Sequence, residues 1–375
     1  MTPDTEAGLA EMIKSAKGPL AIQGGGTRGI KPEGDVLSVS GLPGITLYEP
    51  GALTIVAQAG TPLSEIDAAL AAENQRLAFE PMDHRTLLGT VGEPTLGGVI
   101  AANVSGPRRI QGGGARDYAL GVRYVDGAGT IVKNGGRVMK NVTGYDLVKL
   151  MSGSFGTLGV LTEVSLKVLP TPETQGSLML RGLDDVQAVR AMAAAMGSPF
   201  EVSGAAHCAS IMDDGPVTVL RVEGFEASVA YRLDRLKELL SPIASEMIIA
   251  DAVMTDWVWK SVRDAELWKD VPEDIWRVSC KPSDAPALMA RSGAVGWYFD
   301  WAGGLIWVRM PEGVDLRAKL GAFDGHATVV RASDRTRRAL PIFHPETSGV
   351  DRITAGLRAK FDPRGILNAG LMASA

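Results

Sequence analysis

The chain has 375 residues, of which 45% are hydrophobic, and a formal net charge of −5. Its length predicts two or three domains, and its scattered basic residues exclude the electrostatic footprint of a nucleic-acid-binding protein. The two cysteines, Cys208 and Cys280, form no CxxC motif and are too few to ligate an iron–sulfur cluster. No apolar run reaches the ~18 residues of a membrane span. We therefore expect a cytoplasmic protein, or one held at the inner face of the membrane only through partners.

A glycine loop follows the first predicted strand. Residues 6–17 carry apolar side chains at helical spacing, and the short apolar strand 20–22 runs into the loop 23–29, Gln-Gly-Gly-Gly-Thr-Arg-Gly. Consecutive glycine N–H groups can converge on an anion, so this loop is a candidate diphosphate cradle. The loop lacks both the Gly-Lys-Ser/Thr ending of a Walker A motif and the helix that follows a Rossmann turn.

Two further glycine-dense segments favour close approach of a ligand. Residues 95–106, Thr-Leu-Gly-Gly-Val-Ile-Ala-Ala-Asn-Val-Ser-Gly, predict a turn that enters a helix whose free N–H groups can approach a phosphate or a flavin ring. The alternative is a helix that packs tightly on a sheet. Residues 153–159 contain three glycines, but a strand at 160–169 follows them where a dinucleotide fingerprint requires a helix. We therefore exclude a Rossmann domain.

Short strands that alternate with isolated helices predict an α+β fold. In the first half these include a hairpin at 121–133 around Asp-Gly. Pro170-Thr171-Pro172 forms a stiff boundary, after which the glycine clusters largely cease. The second half predicts an antiparallel sheet with helices on one face. Its predicted elements are helices 184–195 and 226–240, strands near 205–212, 217–222 and 247–250, a hairpin at 297–310 and a final helix at 350–360.

Tryptophan is concentrated in the second half, where six of the seven lie between residues 257 and 301. Such a cluster is typical of a hydrophobic core, and the alternative is stacking on a substrate. A third interpretation is a partner interface, because aromatic residues are enriched in interface cores. The candidates for that interface are Trp257, Trp259, Trp268 and Trp276.

Together the glycine segments resemble the PCMH-type FAD-binding domain of the vanillyl-alcohol oxidase and p-cresol methylhydroxylase superfamily. The loop 23–29 is similar to the first diphosphate loop of that family and the run 95–106 to its second FAD segment. Residues 156–162, Gly-Thr-Leu-Gly-Val-Leu-Thr, are similar to its closing motif. Residues 140–150 and the tail Phe-Asp-Pro-Arg-Gly-Ile-Leu-Asn at 361–368 extend the resemblance to the FAD-binding E subunits of bacterial glycolate oxidase.

The resemblance implies a PCMH-type FAD-binding domain at residues 1–172, with subdomains of about 1–48 and 49–172. It implies a cap domain for substrate or partner at 173–345 and a C-terminal segment, 346–375, that packs back near the flavin. Covalent members carry a histidine in the first loop, where Thr27 or Arg28 stands here, so non-covalent FAD is expected. The implied FAD contacts are Gly24, Gly25, Gly26, Thr27, Arg28, Gly29, Pro81, Thr95, Gly97, Gly98, Ala101, Asn103, Ser105, Gly106, Gly159, Val160 and Asn368.

The resemblance further implies an FAD-dependent oxidoreductase that oxidises glycolate, a small 2-hydroxy acid, to glyoxylate. Its implied partners are a second FAD subunit and an iron–sulfur subunit. The alternative is a non-catalytic, flavin-bearing assembly or electron-relay subunit beside a catalytic paralogue. The chain lacks the His-Gly-Asp-Gly-Asn-x-His type of metal segment found in related D-2-hydroxyacid dehydrogenases, and its four histidines are dispersed, so we expect no metal site.

Oxidation of a 2-hydroxy acid requires a cation for the carboxylate and a base for the hydroxyl proton, while a flavin accepts the hydride. The candidate cations are Arg277, Lys281 and Arg309, and the candidate bases are His344 and His84. Each is alternatively a structural, surface or interface charge. His84 lies in a region that approaches the flavin ring in the relatives implied by the resemblance, and a purely structural histidine is the alternative there.

Overall fold

The structure is a computed structural model that describes residues 1–137, 144–208 and 215–372. The predicted segment 140–150 and the predicted strand 205–212 lie partly outside the described residues. The backbone forms two compact units. The first consists of Met1–Gly106, Gly113–Thr171 and Glu346–Ala375, and the second of Pro107–Gly112 and Pro172–Pro345.

Helices and strands are distributed through both units. The helices are α1 (Glu6–Ser15), α2 (Leu63–Ala72), α3 (His84–Leu88), α4 (Leu96–Ala101), α5 (Arg109–Gly112), α6 (Ala115–Tyr118), α7 (Leu147–Met151), α8 (Asp185–Met196), α9 (Glu226–Leu240), α10 (Ala252–Asp264), α11 (Ala285–Ser292), α12 (Leu316–Leu320), α13 (Asp334–Ala339) and α14 (Ser348–Phe361). The strands are β1 (Leu20–Gln23), β2 (Asp35–Ser38), β3 (Ile45–Glu49), β4 (Thr54–Gln58), β5 (Gln75–Arg76), β6 (Ala119–Val125), β7 (Ile131–Gly135), β8 (Val160–Lys167), β9 (Leu169–Pro170), β10 (Thr174–Arg181), β11 (Gly204–Cys208), β12 (Val217–Gly224), β13 (Met247–Ala250), β14 (Asp274–Cys280), β15 (Gly296–Asp300), β16 (Leu305–Met310) and β17 (Gly325–Arg331). Within the described ranges, no helix combines the length and the hydropathy needed to cross a bilayer.

An antiparallel sheet in the order β3-β4-β8-β6-β7 forms the main layer of the first unit. Its central strand, β8, pairs with β4 on one side and β6 on the other. Ile55, Val122 and Val164 project from this sheet into a core shared with Ile66 of α2 and Val99 of α4. Strands β6 and β7 pair with each other, which confirms the hairpin predicted from Asp-Gly.

A separate parallel pair, β1 and β2, carries the first glycine loop. Its core contains Leu20 and Leu37 from the strands and Leu9 and Ile13 from one face of α1. Leu20 also forms a parallel bridge to Leu367 in the C-terminal tail. Strand β1 is therefore held by a neighbouring strand and by the tail, and the glycine loop follows directly after it.

The second unit contains an antiparallel sheet in the order β13-β10-β12-β11-β15-β16-β14-β17. Its strand pairs are antiparallel throughout the described residues, as predicted, and the pairing of β15 with β16 confirms the tryptophan-rich hairpin. One face is apolar. Leu178 and Leu180 of β10 pack there against Met192 of α8 and Leu233 and Leu236 of α9.

The prediction that helices cover only one face of this sheet is wrong, because α10 packs on the opposite face. Side chains alternate along a strand, so Ser177 points away from Leu178. Ser177 lies directly opposite Arg221 in the sheet. Trp259 of α10 covers this pair: its Nε1 donates to Ser177 Oγ at 2.9 Å, and Arg221 Cζ lies 4.6 Å from its ring centroid. The strand residues that Trp259 covers are polar, so the strands show no hydrophobic alternation on this face. The sequence therefore could not predict that the face is covered.

This packing also decides between the interpretations of the tryptophan cluster. Trp259, Trp268 and Trp276 are buried, whereas Trp257 is 44% exposed. Three of the four residues considered for a partner interface therefore belong to the interior of the second unit. The core interpretation is confirmed for these three, and the interface interpretation is wrong for them.

Candidate functional site

A cavity that opens to solvent lies in the first unit. Four parts of the chain form it: the end of β1 with the loop after it, the start of α4, the turn before β8, and the C-terminal tail. The lining residues are Ile22, Gln23, Gly24, Gly25, Gly26, Thr27, Arg28, Ile30, Pro32, Val39, Thr95, Gly97, Gly98, Ala101, Ala102, Phe155, Gly156, Gly159, Val160, Leu161, Asn368 and Leu371.

The first glycine loop lies directly against the backbone of another loop. A Cβ on Gly25 would stand 1.6 Å from the carbonyl oxygen of Glu93, and one on Gly92 would stand 2.4 Å from the carbonyl oxygen of Gly25. Gly26 has a φ of 71°, in the left-handed region that favours glycine. Chain packing and backbone conformation thus already require glycine at these positions, before any ligand contact is considered.

The two glycines of the second segment both line the cavity, but their surroundings differ. Thr95 caps α4 by accepting from the N–H of Gly98 at 3.3 Å, which confirms the predicted turn into a helix. A Cβ on Gly97 would stand 2.6 Å from the Cβ of Ala59, so Gly97 serves helix-to-sheet packing. A Cβ on Gly98 would meet only Arg28 Nη1 and Thr95 Oγ1, each at 3.2 Å. Gly98 therefore faces the cavity.

Arg28 places a positive charge in this cavity. Its Nη1 donates to the carbonyl oxygen of Gly98 at 2.7 Å, while its buried Nε has no hydrogen-bond partner. Burial lowers the pKa of Arg28 to about 10. Within the described residues no carboxylate pairs with this guanidinium, and a buried cation is costly when its charge is uncompensated. The arrangement suits an anionic ligand such as a diphosphate.

Asn368 in the C-terminal tail joins two walls of the cavity. Its Oδ1 accepts from the N–H of Ile22 at 2.7 Å, and its Nδ2 donates to the carbonyl oxygen of Phe155 at 2.7 Å. The adjacent Gly156 has a φ of 72°, and a Cβ there would stand 3.0 Å from Asn368 Nδ2. The two hydrogen bonds also fix the orientation of the amide, since one partner is a donor and the other an acceptor.

Comparison of the whole chain with known proteins identifies its family. A family model described as an FAD binding domain matches residues 1–135. The chain is 34% identical to glycolate oxidase subunit GlcE of Escherichia coli strain K12 over 377 aligned residues. The alignment covers 98% of this chain and 97% of that protein. The chain belongs to the GlcE family. The resemblance predicted from the glycine segments and the tail is confirmed.

Other proteins are similar to this GlcE-family chain over a shorter segment or at lower identity. Glycolate oxidase subunit GlcD of Bacillus subtilis strain 168 is 37% identical over 127 residues, which is 34% of this chain and 26% of that protein. Among solved structures, alkyldihydroxyacetonephosphate synthase has a TM-score of 0.67 at 15% identity, over 99% of this chain and 76% of that one. Glucooligosaccharide oxidase of Acremonium strictum has a TM-score of 0.65 at 13% identity, over 100% of this chain and 90% of that one. At these identities the two structures show the fold alone, and the predicted α+β class is confirmed.

The cavity brings together most of the residues that the sequence assigned to FAD. The predicted residues that line it are Gly24, Gly25, Gly26, Thr27, Arg28, Thr95, Gly97, Gly98, Ala101, Gly159, Val160 and Asn368. Gly29, Pro81, Asn103, Ser105 and Gly106 are not among the lining residues. Asn103 Oδ1 accepts from Arg116 N–H at 3.0 Å, and Ser105 Oγ accepts from Ala115 N–H at 2.8 Å, so both position the start of α6.

Several lining residues were not predicted from the sequence. They are Ile22, Gln23, Ile30, Pro32, Val39, Ala102, Phe155, Gly156, Leu161 and Leu371. Gly156 could have been predicted, because it belongs to the closing glycine motif. The others are mostly apolar residues at the ends of elements, where nothing local separates a residue that faces a cavity from one that faces a core.

The predicted catalytic residues belong to different units. His84 is the first residue of α3 in the first unit, whereas Arg277, Lys281, Arg309 and His344 lie in the second. Arg309 is ion-paired, since its Nη2 lies 2.8 Å from Glu273 Oε1. Lys281 is exposed.

His344 is held as a neutral ring. Its Nδ1 accepts from the N–H of Ala327 at 3.3 Å, and Phe323 contacts the ring edge-to-face at 5.9 Å. Burial, followed by the charge of Arg317, lowers the pKa of His344, while Asp315 acts in the opposite direction. With Nδ1 occupied as an acceptor, the neutral ring carries its proton on Nε2. In this geometry Nε2–H can donate a hydrogen bond, while the lone pair of Nδ1, the basic nitrogen, is already engaged.

Proposed function

We propose that this chain is the FAD-holding subunit of a multi-subunit glycolate oxidase, which oxidises glycolate to glyoxylate and passes the electrons to a partner subunit. Its full-length similarity to GlcE, a protein named as a glycolate oxidase subunit, carries the proposal. The cavity supports it independently, because it joins three glycine segments with a cation that has no carboxylate partner among the described residues. FAD, when bound, would supply the acceptor for the hydride of the hydroxy acid.

The chain's own residues would hold the cofactor without a covalent bond. Arg28 would face the diphosphate, and Gly98 would let the backbone approach it closely. The glucooligosaccharide oxidase of Acremonium strictum is described with a 6-S-cysteinyl, 8α-N1-histidyl FAD. By contrast, the described residues that line the present cavity include neither histidine nor cysteine. This composition supports a dissociable flavin.

We assign the first unit to FAD binding and the second to a cap that contacts substrate or partner. Among the predicted cations, Arg277 is preferred over Arg309 as the anchor for the substrate carboxylate, because Arg309 is already paired with Glu273. His344 is disfavoured as the base, because its Nδ1 already accepts a backbone hydrogen bond. The partners in this proposal are a second FAD subunit and an iron–sulfur subunit, which would provide any contact with the membrane.

Anaerobic mixing of the FAD-loaded chain with glycolate tests the catalytic part of the proposal. Loss of flavin absorbance in the isolated chain supports direct oxidation. If the absorbance persists, while the assembled complex turns over only when this chain carries FAD, the alternative role of an electron-relay subunit is supported instead. A folded chain that stays colourless after addition of FAD contradicts both roles. Flavin that remains attached after acid precipitation contradicts non-covalent binding.

An arginine substitution tests the cofactor position. Arg28→Met keeps most of the side-chain volume but removes the charge, so FAD affinity should fall by about 10- to 100-fold, the equivalent of one charge-assisted hydrogen bond. Arg190→Met provides a matched control, since Arg190 is exposed on α8 in the second unit. Equal FAD dissociation constants for the two variants would place the diphosphate elsewhere.

A further inference from the structure

The two edges of the eight-stranded sheet in the second unit differ in how they are covered. At one edge, the chain itself covers β17: the N–H of Val329 donates to the carbonyl of Ile342 at 2.9 Å, and the N–H of Ala327 donates to His344 Nδ1 at 3.3 Å. At the other edge, β13 pairs with β10, and no further strand among the described residues pairs with it. An uncovered edge offers backbone donors and acceptors to any extended chain that reaches it.

The hydrogen bonds to β10 show which backbone groups of β13 point outward. Just before the first residue of β13, the carbonyl of Glu246 accepts from the N–H of Arg181 in β10 at 3.1 Å. Along an antiparallel pair, residues that bond to the neighbouring strand alternate with residues whose backbone groups face the other side. Ile248 therefore directs its N–H and carbonyl towards β10, whereas Met247 and Ile249 direct theirs away from it.

The side chains around this edge are apolar and exposed. Ile248 and Ile249 are each 43% exposed, and they lie on opposite faces of the sheet because side chains alternate along a strand. Helix α10 begins just after β13 and carries exposed Val253, Met254 and Trp257 at positions that share one side of the helix. Trp257 is also the remaining candidate from the predicted tryptophan interface. Exposed apolar groups of this kind mark an interaction surface.

A cleft that opens to solvent runs beside β13 on the α9 face of the sheet. Ile249 is on this face, because it lies opposite Leu178, whose side chain packs against α9. Met247 lines the cleft from the strand, and Tyr231, which is 60% exposed, lines it from the helix. The other lining residues are Asp234, Arg235, Lys237, Glu238 and Ser241. A chain that runs along β13 would place side chains in this cleft, against the tyrosine ring.

Both ends of β13 are acidic, since Glu246 precedes the strand and Asp251 follows it. On the inner side a basic residue already lies against one of these ends, where Arg181 Nε is 3.5 Å from Glu246 Oε1. Opposite charges on adjacent strands stabilise the pairing, and like charges oppose it. The edge therefore favours an incoming strand with basic ends.

A second copy of this chain fits the edge poorly. The antiparallel register that pairs all four residues of β13 with those of another β13 also sets Glu246 of one copy opposite Asp251 of the other. Two such contacts between carboxylates would form, one at each end, and both are unfavourable. A lipid surface does not fit either, because hydrocarbon offers no partner for the outward N–H and carbonyl groups.

We infer that the outer edge of β13 is a docking site for an extended segment of another protein, which adds one strand to the sheet. Backbone hydrogen bonds to Met247 and Ile249 hold the segment, and its apolar side chains pack beside the exposed isoleucines on the two faces. Basic residues at the two ends of the segment face Glu246 and Asp251. That the segment belongs to one of the partner subunits rests on the proposed function, whereas strand addition itself does not.

Fluorescence anisotropy of a labelled peptide, titrated with the purified full-length chain, tests the site. The probe is Lys-Val-Thr-Val-Tyr-Lys, which has an apolar or β-branched centre and basic ends. It should bind at least about tenfold more tightly than the same peptide with glutamate in place of both lysines. A version of the probe that is N-methylated at its central amides keeps the side chains but loses the backbone donors, and it should not bind.

Two substitutions in β13 test the edge itself. Ile249→Pro removes an outward N–H without removing a hydrogen bond to β10, and Ile249→Lys sets a positive charge against the basic peptide. Each should weaken binding by at least about tenfold. Val186→Lys, at an exposed apolar position of α8 in the same unit, should bind like the wild type. If Ile249→Pro fails to fold, Ile249→Lys still decides the question.

Hydrogen exchange provides a second readout. The peptide should slow exchange of the outward N–H groups of Met247 and Ile249 and leave exchange of the N–H of Ile248, which faces β10, nearly unchanged. Undiminished binding in the folded Ile249 variants, equal binding of the acidic or N-methylated peptide, or absence of any peptide binding to the folded wild type overturns the inference. A wild-type dimer in light scattering that Ile249→Pro converts to a monomer assigns the edge to a second copy and overturns it as well.

Co-expression with the second FAD subunit and the iron–sulfur subunit separates this site from the proposed function. Loss of assembly in Ile249→Pro, with FAD binding retained, supports docking of a partner subunit at β13. Undiminished assembly in this variant overturns the assignment of the strand to those subunits and leaves the proposed function in place. If the wild type assembles with neither subunit, the multi-subunit proposal is contradicted, whereas strand addition is still decided by the peptide.

Discussion

Asn368 accepts a hydrogen bond from the backbone of Ile22 across 346 positions of sequence, at 2.7 Å. The same side chain donates to Phe155, so one amide joins β1, the turn before β8 and the C-terminal tail. Asn368 is 4% exposed and has a φ of 43°. The tail is therefore a structural wall of the candidate FAD cavity, and the cavity is complete only when both ends of the chain are in place.

Substitution of Asn368 should destabilise the first unit. Asn368→Gly tolerates the left-handed backbone but removes the hydrogen bonds to the N–H of Ile22 and to the carbonyl of Phe155, so the free energy of unfolding should fall by about 1–3 kcal/mol. Asn368→Asp keeps the acceptor for Ile22 but sets a carboxylate against the carbonyl of Phe155. We expect both variants to show lower urea midpoints and lower FAD affinity. Wild-type behaviour of both would show that the tail does not support the cavity.

The two cavity glycines should respond differently to alanine. Gly25→Ala brings a methyl group against the carbonyl of Glu93, and backbone cannot move aside easily, so this variant should unfold at a lower temperature. Gly98→Ala meets only the ends of two side chains and replaces a helical glycine, which alone favours the helix by about 1 kcal/mol. Its melting temperature should be unchanged or higher, while its FAD affinity falls. Melting curves of the FAD-free proteins and fluorescence titrations with FAD separate the effects. Loss of affinity without loss of stability in Gly25→Ala would contradict this assignment.

Tryptophans separated by one residue in α10 should differ in their contribution to stability. Trp259 is 2% exposed and donates to Ser177, so Trp259→Ala should cost about 3–5 kcal/mol through an unfilled cavity and an unpaired hydroxyl. Trp257→Ala should cost clearly less than Trp259→Ala, because 44% of Trp257 is already exposed to solvent. Chemical denaturation of the two variants tests this difference. Similar losses in both would mean that Trp257 is covered in solution, for example by a partner.

Stability should fall in mildly acidic solution, in part because of His344. The pKa of His344 is lowered from its ordinary value of 6.5, so below that pH the unfolded chain binds a proton that the folded chain resists. Where the unfolded state binds more protons, stability rises with pH, and it is therefore lost as the pH falls below about 6.5. His344→Gln can still accept from Ala327 N–H but does not titrate. Urea unfolding from about pH 7.5 to about pH 5 should show a shallower pH dependence for this variant. Identical slopes would contradict the assignment.

The sequence by itself determined the α+β class, both hairpins, the capped turn at Thr95 and the family, because each depends on short-range signals. Glycine clusters, turn residues and alternation lie within a few neighbouring positions, and glycine has a direct physical meaning where φ is positive or backbones touch. These signals identified most residues of the candidate cavity. They did not separate Gly25, which the backbone of another loop requires, from Gly98, where a Cβ would meet only the side chains of Arg28 and Thr95.

Only the tertiary structure decided which charges lack compensation and which faces are covered. Nothing in the local sequence separates Arg28 from Arg309. In the structure, Arg309 forms an ion pair with Glu273, whereas Arg28 donates a hydrogen bond to a backbone carbonyl in the cavity. Arg109 and Arg277 are brought to Trp301 by the packing of segments that are distant in sequence, and Asn368 reaches Ile22 from the C-terminal tail. Electrostatic energies depend on distance in space and on burial, and neither quantity is present in the order of residues along the chain.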